Sequence, residues 1–314
     1  MTYKNRLIIL SALIFILVLL YAGSFIFSYD AGNTRSSFHV WLDSQASGRL
    51  NRIVINSLWN EFELVKKNNQ WFIVHDFNEY PARQMRIEDF LSIFTARSAW
   101  PLRSSSASSH VRFGLDERAS QITFFSDNSI LLDLLLGDDD IMGRESYFRI
   151  VGHNEVRSGD NNLRAYISGV ISSWYNLRLI PESENGGVNS GSVQRLTVYN
   201  EGQMQVFTRA GRRWEVSGIN VANPDMNNIE NYINFILNAE GDNFADPVFA
   251  GSIIFDHSRI ILEFGNGSIV NIRFSEPDEN YRQYAQVSGS EYIYDIPLWV
   301  TMRLFRDASS FETQ

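Results

Sequence analysis

Residues 53–74, IVINSLWNEFELVKKNNQWFIV, lie without a gap over residues 196–217, LTVYNEGQMQVFTRAGRRWEVS. Trp71 falls on Trp214, Ile53 on Leu196, Ile55 on Val198, Leu64 on Phe207, Lys66 on Arg209 and Ile73 on Val216. Few letters are identical, but apolar positions meet apolar positions. The polar turn Lys67-Asn68-Asn69-Gln70 meets Ala210-Gly211-Arg212-Arg213. Each stretch has short β-rich runs separated by polar turns, the pattern of an antiparallel meander.

The likeness continues downstream. Residues 81–99, PARQMRIEDFLSIFTARSA, lie over 223–241, NPDMNNIENYINFILNAEG, with Ile87-Glu88 on Ile229-Glu230. Met85, Ile87, Phe90, Leu91 and Phe94 recur at three- and four-residue spacing, one face of an amphipathic helix. Residues 121–137 resemble 260–276 as a second hairpin, and YFRIV (147–151) lies near YAQVS (284–288). WYNLRL (174–179) resembles WVTMRLF (299–305), and residues 163–179 are expected to be helical. The chain therefore reads as one unit written twice. The expected fold is α+β: an N-terminal transmembrane helix, then two tandem similar domains, each an antiparallel sheet with helices packed on one face. The expected bounds are a cytoplasmic tail at 1–6, an anchor at 7–28, repeats at 29–181 and 193–314, and a glycine-rich linker at 182–192. SSSASSH (104–110) reads as a mobile surface loop.

Residues 7–27, LIILSALIFILVLLYAGSFIF, carry no charge. At about 1.5 Å per residue they would make a helix of about 31 Å, against a hydrocarbon core of roughly 30 Å. A cleaved signal peptide would have a shorter apolar run, so an uncleaved single-pass anchor is expected. Lys4 and Arg6 precede it and Asp30 follows it, which places the N-terminus inside and the bulk of the chain in the periplasm. The 27 basic and 36 acidic residues give a net charge of −9, which disfavours a nucleic-acid partner. The absence of cysteine removes disulfides, thiol catalysis and thiolate metal sites.

One set of elements carries a family resemblance. These are the hairpin turn Lys66-Lys67-Asn68-Asn69-Gln70-Trp71, the amphipathic helix, and Phe113-Gly114-Leu115-Asp116. A hairpin ending in Leu136-Gly137 and the strand Tyr147-Phe148-Arg149 complete it. Residues 38–180 resemble the bacterial domain of unknown function 4340 family, and the second copy does so more loosely. Copy two has Phe255-Asp256-His257 near the place of the Gly-Leu-Asp element. The resemblance implies a non-enzymatic, membrane-anchored extracytoplasmic accessory or scaffold subunit of a gliding-motility-type ABC transport system, with a permease or related envelope proteins as partners. The alternative is a binding module for envelope glycan or peptide.

Chemical motifs are sparse. His39, His75, His110, His153 and His257 lack metal-ligand spacing. There is no nucleophile elbow, Walker A loop or dinucleotide fingerprint, so no catalytic residue, cofactor or nucleotide is expected. Asp138-Asp139-Asp140, with Glu145 nearby, and Glu276-Pro277-Asp278-Glu279 read as solvated hairpin loops rather than calcium loops. Trp71 and Trp214, with Trp174 and Trp299, stand at matching places and read as packing residues. Trp41, Trp59 and Trp100 have no counterpart, which makes them the candidates for a partner surface.

Overall fold

A computed structural model of the chain describes residues 38–160, 162–180, 189–221 and 223–312. The chain divides into two compact units between Trp174 and Tyr175. The division falls before the expected linker, of which residues 181–188 lie outside the described residues.

In the first unit, β1 (Phe38–His39) pairs with β6 (Ser98–Ala99) as a small ribbon. The main sheet begins with the meander β2 (Arg52–Asn56), β3 (Glu61–Lys67), β4 (Gln70–His75) and β5 (Asn78–Pro81). It continues with β7 (Leu102–Ser104), β8 (Ser120–Ser126), β9 (Ser129–Asp139), β10 (Glu145–Ile150) and β11 (Val156–Asp160). Its order is β5-β4-β3-β2-β8-β9-β10-β11-β7. The helices are α1 (Ser44–Arg49), α2 (Gln84–Thr95) and α3 (Asn162–Ser168).

The second unit contains β12 (Val193–Asn200), β13 (Gln203–Ala210), β14 (Arg213–Ser217) and β15 (Asn243–Phe244). Then come β16 (Ser258–Phe264), β17 (Ile269–Phe274), β18 (Gln283–Val287) and β19 (Ile293–Ile296). Its order is β14-β13-β12-β16-β17-β18-β19-β15. Strand for strand this repeats the first sheet, except that β5 has no counterpart beside β14. The helices are α4 (Met226–Leu237), α5 (Pro247–Ala250) and α6 (Leu298–Leu304).

The quoted hairpins explain the shared register. Phe62, Leu64, Trp71 and Ile73 alternate into the core of unit 1, and Leu64 pairs with Ile73. Asn68 and Asn69 both take positive φ, the two-residue turn that matches strand twist. In the matching turn of unit 2 only Gly211 takes positive φ, yet Phe207 still pairs with Val216. The turn chemistry changed and the register did not, because a one-residue slip would turn every apolar side chain to the other face. α2 then buries Ile87, Phe90 and Phe94, and α4 buries Ile229, Tyr232, Ile233, Ile236 and Leu237. Each such side chain contributes about 1.5–3 kcal/mol by leaving water.

Both helices start against a buried aromatic plug. Arg83 N–H donates to the Trp174 carbonyl at 2.7 Å, and Asp225 N–H donates to the Phe311 carbonyl at 2.8 Å. Trp174 and Phe311 each end a 3-10 turn, at Ile171–Trp174 and Ala308–Phe311, and both are fully buried. The partner of Trp174 is therefore Phe311. Trp299, matched to it by sequence, is 59% exposed on α6.

The expected α+β balance is corrected: antiparallel sheets of two, nine and eight strands hold more of the described residues than the helices do. The helix expected over 163–179 stops at Ser168. Gly169, a poor helix former, follows, and Val170 is 71% exposed rather than on a buried face. Strands β5, β7 and β11 lack the alternation that would have announced them. The expectation of a single-pass, transmembrane, periplasmic protein is not met by the described structure. Among the described residues no helix is long and apolar enough to cross a membrane. The longest have 12 residues, about 18 Å, where roughly 30 Å is needed. The segment 7–28 itself lies outside the described residues.

The loop 104–110 contains the 3-10 turn Ala107–Ser109, and Ser109 Oγ donates to Ser104 Oγ at 2.8 Å. Just beyond it, Phe113-Gly114-Leu115-Asp116 packs on Leu136-Gly137. A Cβ on Gly137 would lie 2.1 Å from the Phe113 carbonyl oxygen, so only glycine permits this approach.

Candidate functional site

The acidic loops do not converge on a metal. Asp139 accepts from Arg164 Nε and from Ser146 Oγ, both at 2.7 Å, and Asp140 accepts the backbone N–H groups of Arg144 and Glu145. Glu145 accepts from Ser158 Oγ at 2.6 Å and pairs with Arg103. Asp278 closes its own turn on Arg282. Among the described residues no group of three or more histidine, aspartate or glutamate side chains is placed to hold a metal ion.

The three unpaired tryptophans have different fates. Trp59 is 57% exposed at the tip of the β2–β3 hairpin, beside the exposed Leu58. Trp41 and Trp100 meet at 6.0 Å between ring centroids, and both rings meet Phe148, at 5.5 and 5.0 Å. His39 stacks on Trp41 at 5.2 Å. A cleft of about 340 Å³ opens along this cluster. Arg149 and Arg157 also line it, together with His153 and Glu155.

Separate elements fix each group. The backbone N–H groups of Trp41 and Leu42 both donate to the Phe94 carbonyl at the end of α2, which ties the Trp41 segment to the helix. Trp100 follows β6 and lies flat over Gly159 of β11. A Cβ on Gly159 would sit 1.7 Å from the Trp100 ring, so the indole occupies the space that a side chain would fill. Arg157 donates to the Trp100 carbonyl at 2.9 Å and to Glu155 at 2.7 Å. Arg149 donates to the His153 carbonyl at 3.4 Å. Two guanidiniums thus face one carboxylate in a chain of net charge −9.

Several polar atoms of this cluster are buried and have no hydrogen-bond partner among the described residues: Trp41 Nε1, Trp100 Nε1, Arg149 Nε and His39 Nε2. Buried N–H groups are ordinarily satisfied, and each left unpaired costs about 1–3 kcal/mol. The first three can only donate. A groove of about 480 Å³ runs beside α2, past Asp89, Ser92, Trp100 and Tyr166, so Trp100 lines this groove rather than the cleft at Trp41. A cavity of about 90 Å³ in unit 2 lies at Gln205 and Arg306. Neither assembles a comparable set of donors.

The strongest electrostatic feature of unit 2 lies at the helix–hairpin seam. Glu230 accepts from Ser190 and from Trp214 Nε1 (2.9 Å) and pairs with Arg209 at 3.3 Å. The Ser190 hydrogen bond, with those from Trp214 and Arg209, holds its carboxyl below the usual glutamate value. Arg209 also lies over the Trp214 ring at 4.3 Å, as Lys66 lies over Trp71 at 5.8 Å. The tryptophans are buried there, so this seam is packing rather than a site.

Of the sequence candidates, the structure brings together Trp41 and Trp100 and leaves Trp59 apart. Sequence reasoning missed Phe148, Arg149 and Arg157 as partners of those tryptophans. A glycine inside a strand, Gly159, was the available signal of a close approach. No family model, curated protein or solved structure matches the chain.

Proposed function

We propose that the chain is a non-enzymatic accessory scaffold, in keeping with the ABC-type transport subunits that the sequence resemblance implies. Its first unit would hold a polypeptide segment of a partner in the cleft between Trp41, Phe148 and Arg149. One observation carries this reading: the aromatic side chains of Trp41 and Phe148 and the guanidiniums of Arg149 and Arg157 line one open cleft. Aromatic and arginine side chains of this kind anchor protein interfaces. At about 340 Å³ the cleft takes one bulky residue and its neighbouring polar groups.

The test is co-purification of the full chain, expressed in its own cells, with the ATPase and permease of an ABC-type system. The wild-type chain should hold both at fixed stoichiometry. A Trp41→Phe, Arg149→Gln double variant, which keeps a ring at position 41, should lose them while remaining folded by circular dichroism. A chain that elutes alone and binds isolated envelope glycan would replace this reading with the glycan-binding one.

A further inference from the structure

We infer that one end of the unit 1 sheet is a docking surface for a second protein, one whose apolar patches are rimmed by lysine or arginine. Three hairpin turns make this surface. Asn56 pairs with Glu61, His75 with Asn78 and Asp139 with Ser146, and a turn follows each pair outward, between β2 and β3, β4 and β5, and β9 and β10. All three turns lie at one end. His75 Nδ1 is 3.1 Å from the Glu61 carbonyl oxygen, Asn56 pairs with Gln121, and Ser120 pairs with Leu136. The turns present Leu58 and Trp59, then Phe77, then Ile141 and Met142. Phe77 and Ile141 are fully exposed, and the other three are more than half exposed. The two-residue turns at the opposite end are Asn68-Asn69 and Asp127-Asn128, polar as turns ordinarily are. The third turn there, between β10 and β11, carries His153 and Glu155 of the cleft, so the cleft and the apolar tips are separate surfaces.

Phe77 is strained where it stands. Its φ is +63°, and that of Asp76 before it is +48°. This left-handed pair suits asparagine and glycine, and a bulky ring is disfavoured in it. The ring gains no burial in return. A residue that strains its turn and covers nothing within the chain points to contact outside it. Charge selects the partner. Glu61, Asp76 and Asp138 are exposed beside the tips, and Asp140 precedes Ile141. Arg144, and Arg118 held by Asp116 at 3.0 Å, answer only part of that charge. The acidic flank repels anionic lipid and a second copy of itself, and it attracts a basic rim. From the β4–β5 turn to the β9–β10 turn the tips span about 24 Å, at about 4.8 Å between strands. That width suits a folded protein surface rather than one extended peptide.

Unit 2 lacks the surface. Glu201-Gly202 stands at the place of Leu58-Trp59. β14 has no strand like β5 beside it, and so no turn like Asp76-Phe77. The β17–β18 turn holds one exposed aromatic residue, Tyr281, among Glu276, Asp278 and Glu279. The repeated sheet is built there without the apolar tips, so its folding does not call for them in unit 1.

Two measurements on the full chain test the inference. Phe77→Asn gives the β4–β5 turn the residue type of Asn69, at the same place in the β3–β4 turn, and should raise the melting temperature of unit 1 by about 2–4 °C. A lower or unchanged melting temperature would make the ring part of the fold and overturn the inference. In the second, p-benzoylphenylalanine is placed at position 77 and, as a control, at position 69, and the chain is irradiated in its own cells. Position 77 should give one protein adduct and position 69 none. The adduct should vanish when Leu58→Glu and Trp59→Gly copy the turn of unit 2. The captured protein, once purified, should bind Phe77→Asn about tenfold more weakly than the wild-type chain, and should bind the wild-type chain more weakly as salt is raised. Equal labelling at positions 69 and 77, an adduct with phospholipid or with a second copy of the chain, or binding that salt does not weaken would each overturn the inference. The Trp41→Phe, Arg149→Gln variant should keep the adduct, so a failure of the cleft reading leaves this surface standing.

Discussion

Gly159 in the first unit and Ile296 in the second stand at equivalent points of the two sheets. At Gly159 the missing side chain is replaced by the Trp100 ring, brought from another part of the chain. At Ile296 the strand covers itself, and the residue is fully buried. Both solutions fill the space. The first borrows a side chain with an N–H, from an aromatic cluster whose Trp41 and Phe148 line a cleft. The comparison teaches that a repeated sheet keeps its register through alternating Ile, Leu, Val and Phe, while its end strands are free to change chemistry.

The comparison can be broken at several points. The largest effects should come from the fillers themselves. Trp100→Ala should cost unit 1 about 3–5 kcal/mol and Ile296→Ala should cost unit 2 about 2–5 kcal/mol. Calorimetry that resolves the two units reads both losses. If Trp100→Ala left unit 1 unchanged, the indole would not be filling the place of a side chain. Gly159→Ala crowds the same ring and should cost about 1–3 kcal/mol, with weaker ligand capture as Trp100 is pushed aside. Loss of stability without loss of capture would separate the ring from the cleft.

A second contrast sharpens the helices. The Tyr232 hydroxyl, fully buried in unit 2, donates to the Leu304 carbonyl at 2.5 Å, and burial pushes its pKa well above the usual tyrosine value. Tyr232→Phe leaves that carbonyl without its donor and should cost about 1–3 kcal/mol, measured by chemical denaturation. The place of Tyr232 in unit 1 is taken by Phe90, which needs no such partner. The smallest effect should be acid loosening at Glu230. Its carboxyl is depressed in the folded state, so the stabilisation is fully present above the unfolded glutamate value of 4.5. It is lost as pH falls through the folded value. Its counterpart Glu88 is exposed. Hydrogen exchange below pH 4.5 should therefore rise first at the β13–β14 seam, and Glu230→Gln should remove that pH dependence.

Much of the scaffold was legible. The Trp71 and Trp214 hairpins, both amphipathic helices and the hairpins over 121–137 and 260–276 follow from apolar spacing, which registers burial directly. The match of Trp174 to Trp299 failed because it compared letters. What the fold repeats there is an aromatic plug whose carbonyl accepts a helix's first N–H, and Phe311 serves that role as well as tryptophan. The short strands β7, β11 and β15 were illegible because their pairing is set by neighbours far away in the chain. Half of the cleft followed from the same limit. Trp41 and Trp100 stood out as tryptophans without counterparts, but only the register of β10 on β11 brings Arg149 and Arg157 beside them. Trp59 stood out equally and lies elsewhere.

The position of β7 has a temporal consequence. It precedes β8 in the chain, yet it docks at the far edge of the sheet, on β11. It has nothing to pair with until β8 to β11 have been made and folded. β15 waits in the same way for β19. These terminal strands complete their sheets late, because closing the intervening loop comes before their contacts. Trp100 lies two residues before β7. On a growing chain, the edge of the sheet beside the cleft therefore cannot be completed before β11 has been made.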